Sequence, residues 1–292
     1  MVAFGLPLFG VVSLRGDERT AELPMRQIIA ATAWCGASLS VVALVSLAAS
    51  MAGIALSAID HGTIITLLCG TAIGKAWIIR MATLGVIALL CLRRWRNPAV
   101  VLAAVSFAGG VALATFAWTG HAVMGDGWVG WLHLMADVVH LLAAGVWVGA
   151  LLGLLLLVTT PLGRVDAVRV TLAHRALVGF AGTGTAVVGA IFLTGAINAW
   201  FLVGPTGLRA LTTTLYGELL LAKVVLFGVM VGLATANRFR LVPLLGQAIP
   251  TDDTVASVEA LRRSLTLETF SAVAVLAIVA LLGTLEPIAT AM

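Results

Sequence analysis

This sequence has few charged residues. Only 10% of its 292 residues are Asp, Glu, Lys or Arg, whereas 61% are hydrophobic. Because a soluble domain carries about a quarter charged residues, too little polar surface is available here to cover a soluble particle. Soluble enzymes, disordered chains and coiled coils are therefore excluded as classes. A polytopic membrane protein remains, with the lipid bilayer as its main surroundings.

Cysteines are few, and common catalytic motifs are missing. Cys35, Cys69 and Cys91 are scattered without a C-x-x-C pair, so neither a disulfide framework nor a thiolate metal site is predicted. No basic run with interleaved aromatic residues indicates nucleic acid as a partner. H-E-x-x-H, G-x-S-x-G and P-loop motifs are also absent. We therefore expect no enzyme, and any uphill transport needs a gradient or a partner.

Long apolar runs, by contrast, are abundant. A helix needs about 20 apolar residues to cross about 30 Å of hydrocarbon. Seven segments reach that length, at about 27–50, 73–92, 98–118, 132–157, 175–202, 215–236 and 265–286. Residues 1–14 reach only ~21 Å as a helix and are interpreted as a short or clipped first span, not as a signal peptide. The predicted fold is an all-α polytopic membrane protein with eight transmembrane helices.

The basic residues are concentrated in alternate loops. The loops after the first, third, fifth and seventh predicted spans hold 13 of the 17 Lys and Arg residues, namely Arg15, Arg19, Arg26, Arg93, Arg94, Arg96, Arg164, Arg169, Arg175, Arg238, Arg240, Arg262 and Arg263. Cytoplasmic loops carry an excess of Lys and Arg. We therefore predict that these loops are cytoplasmic and that both termini lie outside (N-out/C-out).

The segment 239–264 is interpreted as a cytoplasmic connector. Pro243 and Pro250 interrupt it, and the aspartates at 252–253 could cap a short helix beyond them. No soluble domain is evident, and no repeat is clear enough to support inverted symmetry. A single transmembrane helical domain over residues 1–292 is predicted.

The fifth predicted span contains the strongest candidate site. His133, Asp137 and His140 are spaced by four and three residues, so they share one helical face. An ionisable group inside the membrane costs about 2.5–3.5 kcal/mol and normally faces a partner or a water-filled cavity. With His121 and Met124 just upstream, imidazole, carboxylate and thioether together form a plausible ligand set for copper. The alternative is an Asp–His hydrogen bond that orients a helix and binds nothing.

Polar residues also lie in the outer halves of other predicted spans: Arg80, Asn198, Glu218 and Lys223. Each could reach the membrane surface alone, but together they indicate a buried polar cluster. In such a cluster Arg80 or Lys223 could neutralise Asp137 or pair with Glu218. A supporting structural role and a role in transport both remain open.

The run H-L-M-A-D-V-V-H-L-L-A-A-G-V-W-V-G at residues 133–149 resembles the central signature of the copper resistance protein D (CopD) family. Further stretches are similar to the same family: Gly120-His121, G-K-A-W-I-I-R at 74–80, G-A-I-N-A-W at 195–200, Y-G-E at 216–218 with Lys223, and Asn237-Arg238. The resemblance covers nearly the whole chain, with a core at about 73–286. The short first span is a departure from the family.

The resemblance implies eight helices in the bacterial inner membrane and a role in copper homeostasis. It implies movement of copper ions, Cu(I) or Cu(II), from periplasm to cytoplasm, often beside a periplasmic copper carrier of the CopC type. His121, Asp137 and His140 match the polar positions of the family best, and His133 is next. Candidate ligands in the inner half of the membrane are few: Cys35, Cys91 and Met230.

Two other functions remain open at this point. A b-type haem protein that passes electrons needs two axial histidines on facing helices at matching depth, whereas His133 and His140 share one span. An accessory protein could instead dock a periplasmic copper carrier through the loop at 125–128 and transport nothing. The oligomeric state is not predicted.

Overall fold

The structure is a computed structural model that describes residues 1–16, 18, 24–93, 95–119, 127–159, 167–204, 207–251 and 254–285. All regular secondary structure in these residues is helical. The α-helices are α1 (Val2–Ser13), α2 (Met25–Ala52), α3 (His61–Gly70), α4 (Ala72–Leu92), α5 (Pro98–Ala114), α6 (Gly127–Val158), α7 (Ala167–Val203), α8 (Leu215–Ala236), α9 (Val242–Ala248) and α10 (Val255–Leu282). A π-helical turn, Asn237–Leu241, lies between α8 and α9.

Seven helical segments among the described residues are long and apolar enough to cross a membrane: Met25–Ala52, Ala72–Leu92, Pro98–Thr119, Gly127–Val158, Val168–Val203, Leu215–Thr251 and Val255–Leu282. Each overlaps one of the seven long predicted spans. The prediction of an all-helical chain rich in membrane-length helices is therefore confirmed. The eighth crossing and the orientation stay predictions.

The connector region differs most from its predicted boundaries. After α8 the chain stays helical through the π turn and α9, and α10 begins at Val255 instead of residue 265. Pro243 lies in the first turn of α9, directly after the π-helical turn. The helical run continues past the proline. The predicted aspartate cap at 252–253 falls outside the described residues.

The helix α7 also begins earlier than predicted, at Ala167. Arg169 and Arg175 therefore lie within the helix and not in a preceding loop. Both remain near the N-terminal end of α7, so they still add positive charge at the same end of this predicted span. Long basic side chains at such positions can extend to the membrane surface.

The chain divides into two compact units. Unit 1 consists of Met1–Val11 and Pro24–Gly149, and unit 2 consists of Val12–Leu23 and Ala150–Met292. Unit 1 therefore contains most of the candidate site on α6. The helices α7 to α10 belong to unit 2.

Within unit 1, the short helix α1 is a core element. Leu6 is completely buried, and a Cβ atom on Gly5 would lie 1.9 Å from the backbone oxygen of Gly145 on α6. The two backbones are thus in direct contact, as small residues allow between membrane helices. On α5, the Ser106 hydroxyl donates a hydrogen bond of 3.1 Å to the Phe4 carbonyl. Contacts with both α5 and α6 hold α1 in place.

The same threonine–glycine structure is found at the start of one helix in each unit. In unit 1, the Thr71 hydroxyl accepts a hydrogen bond of 2.9 Å from the Gly74 N–H and donates one of 2.7 Å to the Leu67 carbonyl. Thr71 thereby caps α4 and ties it to the end of α3. A Cβ atom on Gly74 would lie 2.1 Å from the Leu67 oxygen, so glycine is required at this close approach.

In unit 2, Thr214 and Gly217 repeat this arrangement at the start of α8. The Thr214 hydroxyl accepts a hydrogen bond of 3.1 Å from the Gly217 N–H and donates one of 2.6 Å to the Ala210 carbonyl. A Cβ atom on Gly217 would lie 2.4 Å from the Ala210 oxygen. The spacing of threonine, glycine and carbonyl is the same in both units. The chain therefore contains a direct structural repeat at these helix starts.

Candidate functional site

The helix α6 carries the predicted row of ionisable residues. It begins at Gly127 instead of residue 132, so His133 lies in its second turn. His133 is buried, and Asp137 and His140 are half-buried. At about 1.5 Å per residue, His140 lies ~20 Å along α6 from Gly127. The row therefore extends from near the helix start to well within a membrane-length helix.

The row is extended and does not form a closed metal site. His133 and His140 are separated by two helical turns, or ~10.5 Å along the axis. In the described part of the chain, no group of three or more His, Cys, Asp or Glu side chains is arranged to hold a metal ion. Asp137 lies between the two histidines, so its carboxylate can bind an ion together with either imidazole. His121 and Met124, the other predicted ligands, lie outside the described residues.

The predicted support residue Arg80 is deeply buried, with 4% of its surface exposed. Its Nε donates a hydrogen bond of 2.8 Å to the Thr115 hydroxyl, and a terminal nitrogen donates one of 3.2 Å to the Thr115 carbonyl. Its guanidinium also lies 3.7 Å from the centre of the Phe116 ring, a cation–π contact. Within the residues that the structure describes, these partners are neutral, so Arg80 does not pair with Asp137 in unit 1.

This arrangement gives Arg80 a positioning role in unit 1. Thr115 begins the 3-10 turn Thr115–Thr119 that ends α5. Because Arg80 binds both the side chain and the backbone of Thr115, it ties the middle of α4 to the end of α5. These contacts are typical of a structural anchor; the role in transport that the sequence left open stays a prediction.

The other three support residues belong to unit 2. Asn198 on α7 and Lys223 on α8 are half-buried, whereas Glu218 is exposed in the first turn of α8. A carboxylate in the first helical turn is stabilised by the helix dipole without any further partner. The common cluster of Arg80, Asn198, Glu218 and Lys223 remains a prediction.

Sequence analysis missed a second buried polar group, which lies in unit 2. The Asn237 side-chain amide donates a hydrogen bond of 3.1 Å to the Glu268 carboxylate. Asn237 is 5% exposed and Glu268 is 2% exposed. The available signal was a glutamate within an apolar run. The predicted helix start at residue 265 left Glu268 at the end of a span, whereas it lies near the middle of α10.

Two acids outside the long helices have perturbed pKa values. The Arg175 guanidinium, 2.5 Å from the Glu18 carboxylate, lowers the pKa of Glu18. At the start of α3, the Thr63 hydroxyl and N–H donate hydrogen bonds of 2.6 and 2.8 Å to Asp60 and lower the pKa of that carboxyl. Both acids are therefore held in their charged form.

Comparisons with known proteins cover both parts of the chain. Residues 1–131 match the family model described as copper resistance protein D-like, N-terminal domain, and residues 174–282 match the model described as copper resistance protein D. Copper resistance protein D of Pseudomonas syringae pv. tomato is 42% identical over 292 residues, covering 98% of this chain and 93% of that protein.

Two further relatives are more distant. Inner membrane protein YebZ of Escherichia coli (strain K12) is 28% identical over 296 residues, covering 98% of this chain and 94% of that protein. Copper transport protein CutJ of Bacillus subtilis (strain 168) is 33% identical over 187 residues, covering 62% of this chain and 33% of that protein. No solved structure matches this chain. With its helical membrane-length segments and a near full-length relative at 42% identity, the chain belongs to the copper resistance protein D family.

Proposed function

We propose that this protein moves copper ions across the bacterial inner membrane, from periplasm to cytoplasm, without catalysing a chemical reaction. The observation that carries the proposal is the row of His133, Asp137 and His140 along one face of the membrane-length helix α6. Membership of the copper resistance protein D family supports copper as the substrate. The name of one relative, a copper transport protein, supports movement of the ion.

In the proposed path, His121 and Met124 capture copper at the outer surface. The ion then passes to His133 with Asp137, and next to Asp137 with His140. Because Asp137 lies between two histidines that are ~10.5 Å apart, the ion can exchange one imidazole for the other while it keeps the carboxylate. Imidazole binds either oxidation state of copper, whereas the thioether favours Cu(I).

The proposed topology has eight crossings, with α1 as a short first one and both termini in the periplasm. The arginine-rich loops then face the cytoplasm, and α6 begins at the periplasmic side with its histidine row in the outer half. Trp128 and Trp131 are exposed near the start of α6, where an aromatic belt at the membrane surface is expected. A periplasmic CopC-type carrier is the proposed copper donor.

Total cellular copper in a copper-sensitive bacterial host tests the proposal. Cells expressing the wild type, His140→Ala, Asp137→Asn and the control His61→Ala are compared at equal membrane levels. His61 is an exposed histidine at the start of α3, away from the row. The wild type and the control should raise cellular copper. The two row variants should reduce that increase at least about tenfold.

Two outcomes would redirect the proposal. Unchanged copper accumulation by His140→Ala would show that the row is not on the path. No increase with the wild type would favour a non-transporting accessory that docks the carrier.

The haem alternative is tested by the absorption spectrum of protein purified from haem-supplied cells. We expect no haem band, because His133 and His140 lie on the same helix and cannot ligate one haem from facing helices.

A further inference from the structure

Arg80 in unit 1 is a buried cation that the described residues do not balance with a negative charge. Only 4% of its surface is exposed, and it lies ~12 Å along the membrane-length helix α4 from Ala72. The acids that the structure describes in unit 1 are Asp60 and Asp137, and neither contacts the guanidinium. Because a buried charge is costly unless it is paired, Arg80 needs an anionic partner that this part of the chain does not provide.

The neutral groups around Arg80 do not replace an anion. A guanidinium has five N–H donors, of which Nε and Nη2 each use one on Thr115. The Thr115 hydroxyl itself donates a hydrogen bond of 2.6 Å to the Ala112 carbonyl, so it is already committed to the end of α5. The Phe116 ring offers only the partial negative charge of its face. The N–H groups at the terminal edge of the guanidinium, on Nη1 and Nη2, are therefore left for a further acceptor.

The surroundings hold this terminal edge in place and leave it accessible. Thr115 and the Phe116 ring fix the guanidinium. One turn away, the Trp77 indole N–H donates a hydrogen bond of 2.8 Å to the Ser40 carbonyl and fixes α4 against α2. Among the described residues, no Arg80 nitrogen is both fully enclosed and without a partner, so Nη1 reaches open volume. Donors that are held in place in advance bind a ligand with little further loss of side-chain entropy.

We propose that the terminal edge of Arg80 binds a small monovalent anion, chloride. One negative charge balances one guanidinium, whereas a divalent anion such as sulfate would leave an excess of buried negative charge. A small ion also suits a side chain with so little exposed surface better than a large organic anion does. Unit 1 would then hold an anion site in addition to the candidate copper row on α6. Anion binding does not depend on copper, so failure of either proposal leaves the other standing.

Equilibrium binding of ³⁶Cl⁻ to the purified full-length protein in detergent tests the site. Copper is removed with a chelator, sodium gluconate keeps the ionic strength constant, and a pH of about 8 keeps the histidines neutral. The wild type should show saturable binding that unlabelled chloride displaces at least about tenfold more effectively than sulfate does. Arg80→Gln, which removes the charge, should weaken binding at least about tenfold. Arg80→Lys, which keeps the charge but changes the donors, should weaken it about threefold.

The matched control is Lys75→Gln. Lys75 is an exposed basic residue on the same helix, so its variant loses the same charge and should bind chloride like the wild type. Elution as a single peak from size exclusion verifies the fold of each variant, and Arg80→Lys provides the decision if Arg80→Gln is not recovered. Absence of saturable binding to the wild type, or equal binding by the wild type and either Arg80 variant, would overturn the proposal. Equally effective displacement by sulfate, or an equal loss in Lys75→Gln, would also overturn it.

Discussion

Each of the two units begins a membrane-length helix with the same cap, but the helices of the two units carry different polar residues. Thr71 with Gly74 and Thr214 with Gly217 form the same cap. The units diverge at polar positions: unit 1 has the row on α6, whereas unit 2 has the buried pair of Asn237 and Glu268. Shared features are therefore those that packing requires. Differences indicate where each unit has acquired its own chemistry.

Introducing a buried carboxylate in unit 1, or removing the one in unit 2, should have the largest effect. Val105→Glu places a carboxylate among apolar neighbours, which costs about 2.5–3.5 kcal/mol, and should greatly lower the yield of folded protein. Glu268→Val leaves the buried Asn237 amide without its acceptor and should lower the stability by about 1–3 kcal/mol. The apparent Tm in detergent measures both. An unchanged Tm for Glu268→Val would contradict the role of Glu268 as the acceptor for the Asn237 amide.

The repeated glycines should show the next largest effect, and it should be similar in both units. Gly74→Ala and Gly217→Ala each place a Cβ atom against a backbone carbonyl, which should cost about 1–3 kcal/mol. The matched controls are Gly85→Ala and Gly228→Ala on the same helices. A Cβ atom at either control position meets nothing within 4 Å, so a gain of up to ~1 kcal/mol is expected from helix propensity. If the apparent Tm falls in only one unit, the repeat is not a shared folding device.

A smaller effect is expected when Arg80 of unit 1 is replaced by lysine, the residue type at Lys223 of unit 2. Arg80→Lys should destabilise the protein by about 1.5 kcal/mol, because one ammonium group cannot replace both hydrogen bonds to Thr115 and the contact with Phe116. Lys75→Arg, at an exposed position of α4, is the control and should change the apparent Tm little. A change no larger than that of the control would argue against the anchoring role of Arg80.

The smallest effect concerns the acids Glu18 of unit 2 and Asp60 of unit 1. Arg175 keeps the pKa of Glu18 below its usual value of about 4.3. The pair therefore stabilises the fold above that pH, and its contribution is lost as the pH falls through the lowered pKa. Because the pair is partly exposed, this contribution is at most ~0.5 kcal/mol.

Salt distinguishes the two acids. About 1 M NaCl should remove most of the destabilisation caused by Glu18→Gln, since its partner is a cation. It should have less effect on Asp60→Asn, since the Thr63 groups that bind Asp60 are neutral. The apparent Tm is measured at neutral pH with low and high salt. The same salt response in both variants would contradict the assignment of their partners.

The shared helical face of the candidate site could be predicted from residue spacing, but the contacts between different helices could not. The residues from His133 to His140 follow a helical period, so their shared face was evident without coordinates. The partners of Arg80 could not be recognised in the sequence, because Thr115 and Phe116 look like ordinary residues of a different span. The buried pair of Asn237 and Glu268 was missed because the predicted span at 265–286 placed Glu268 near its start, whereas the helix begins at Val255. Helix boundaries have no strong hydropathy signal where the flanking segment is also helical.

Local hydropathy was enough to assign the class of the molecule and the seven long helices of its described residues, because lipid requires each crossing segment to be apolar along its whole length. The burial of α1 and the meeting of Asn237 with Glu268 became evident only in three dimensions. Both depend on contacts between helices distant in the sequence, such as the backbone approach of Gly5 to Gly145. Periodicity identifies the face on which a residue lies; the packed structure identifies what that face touches.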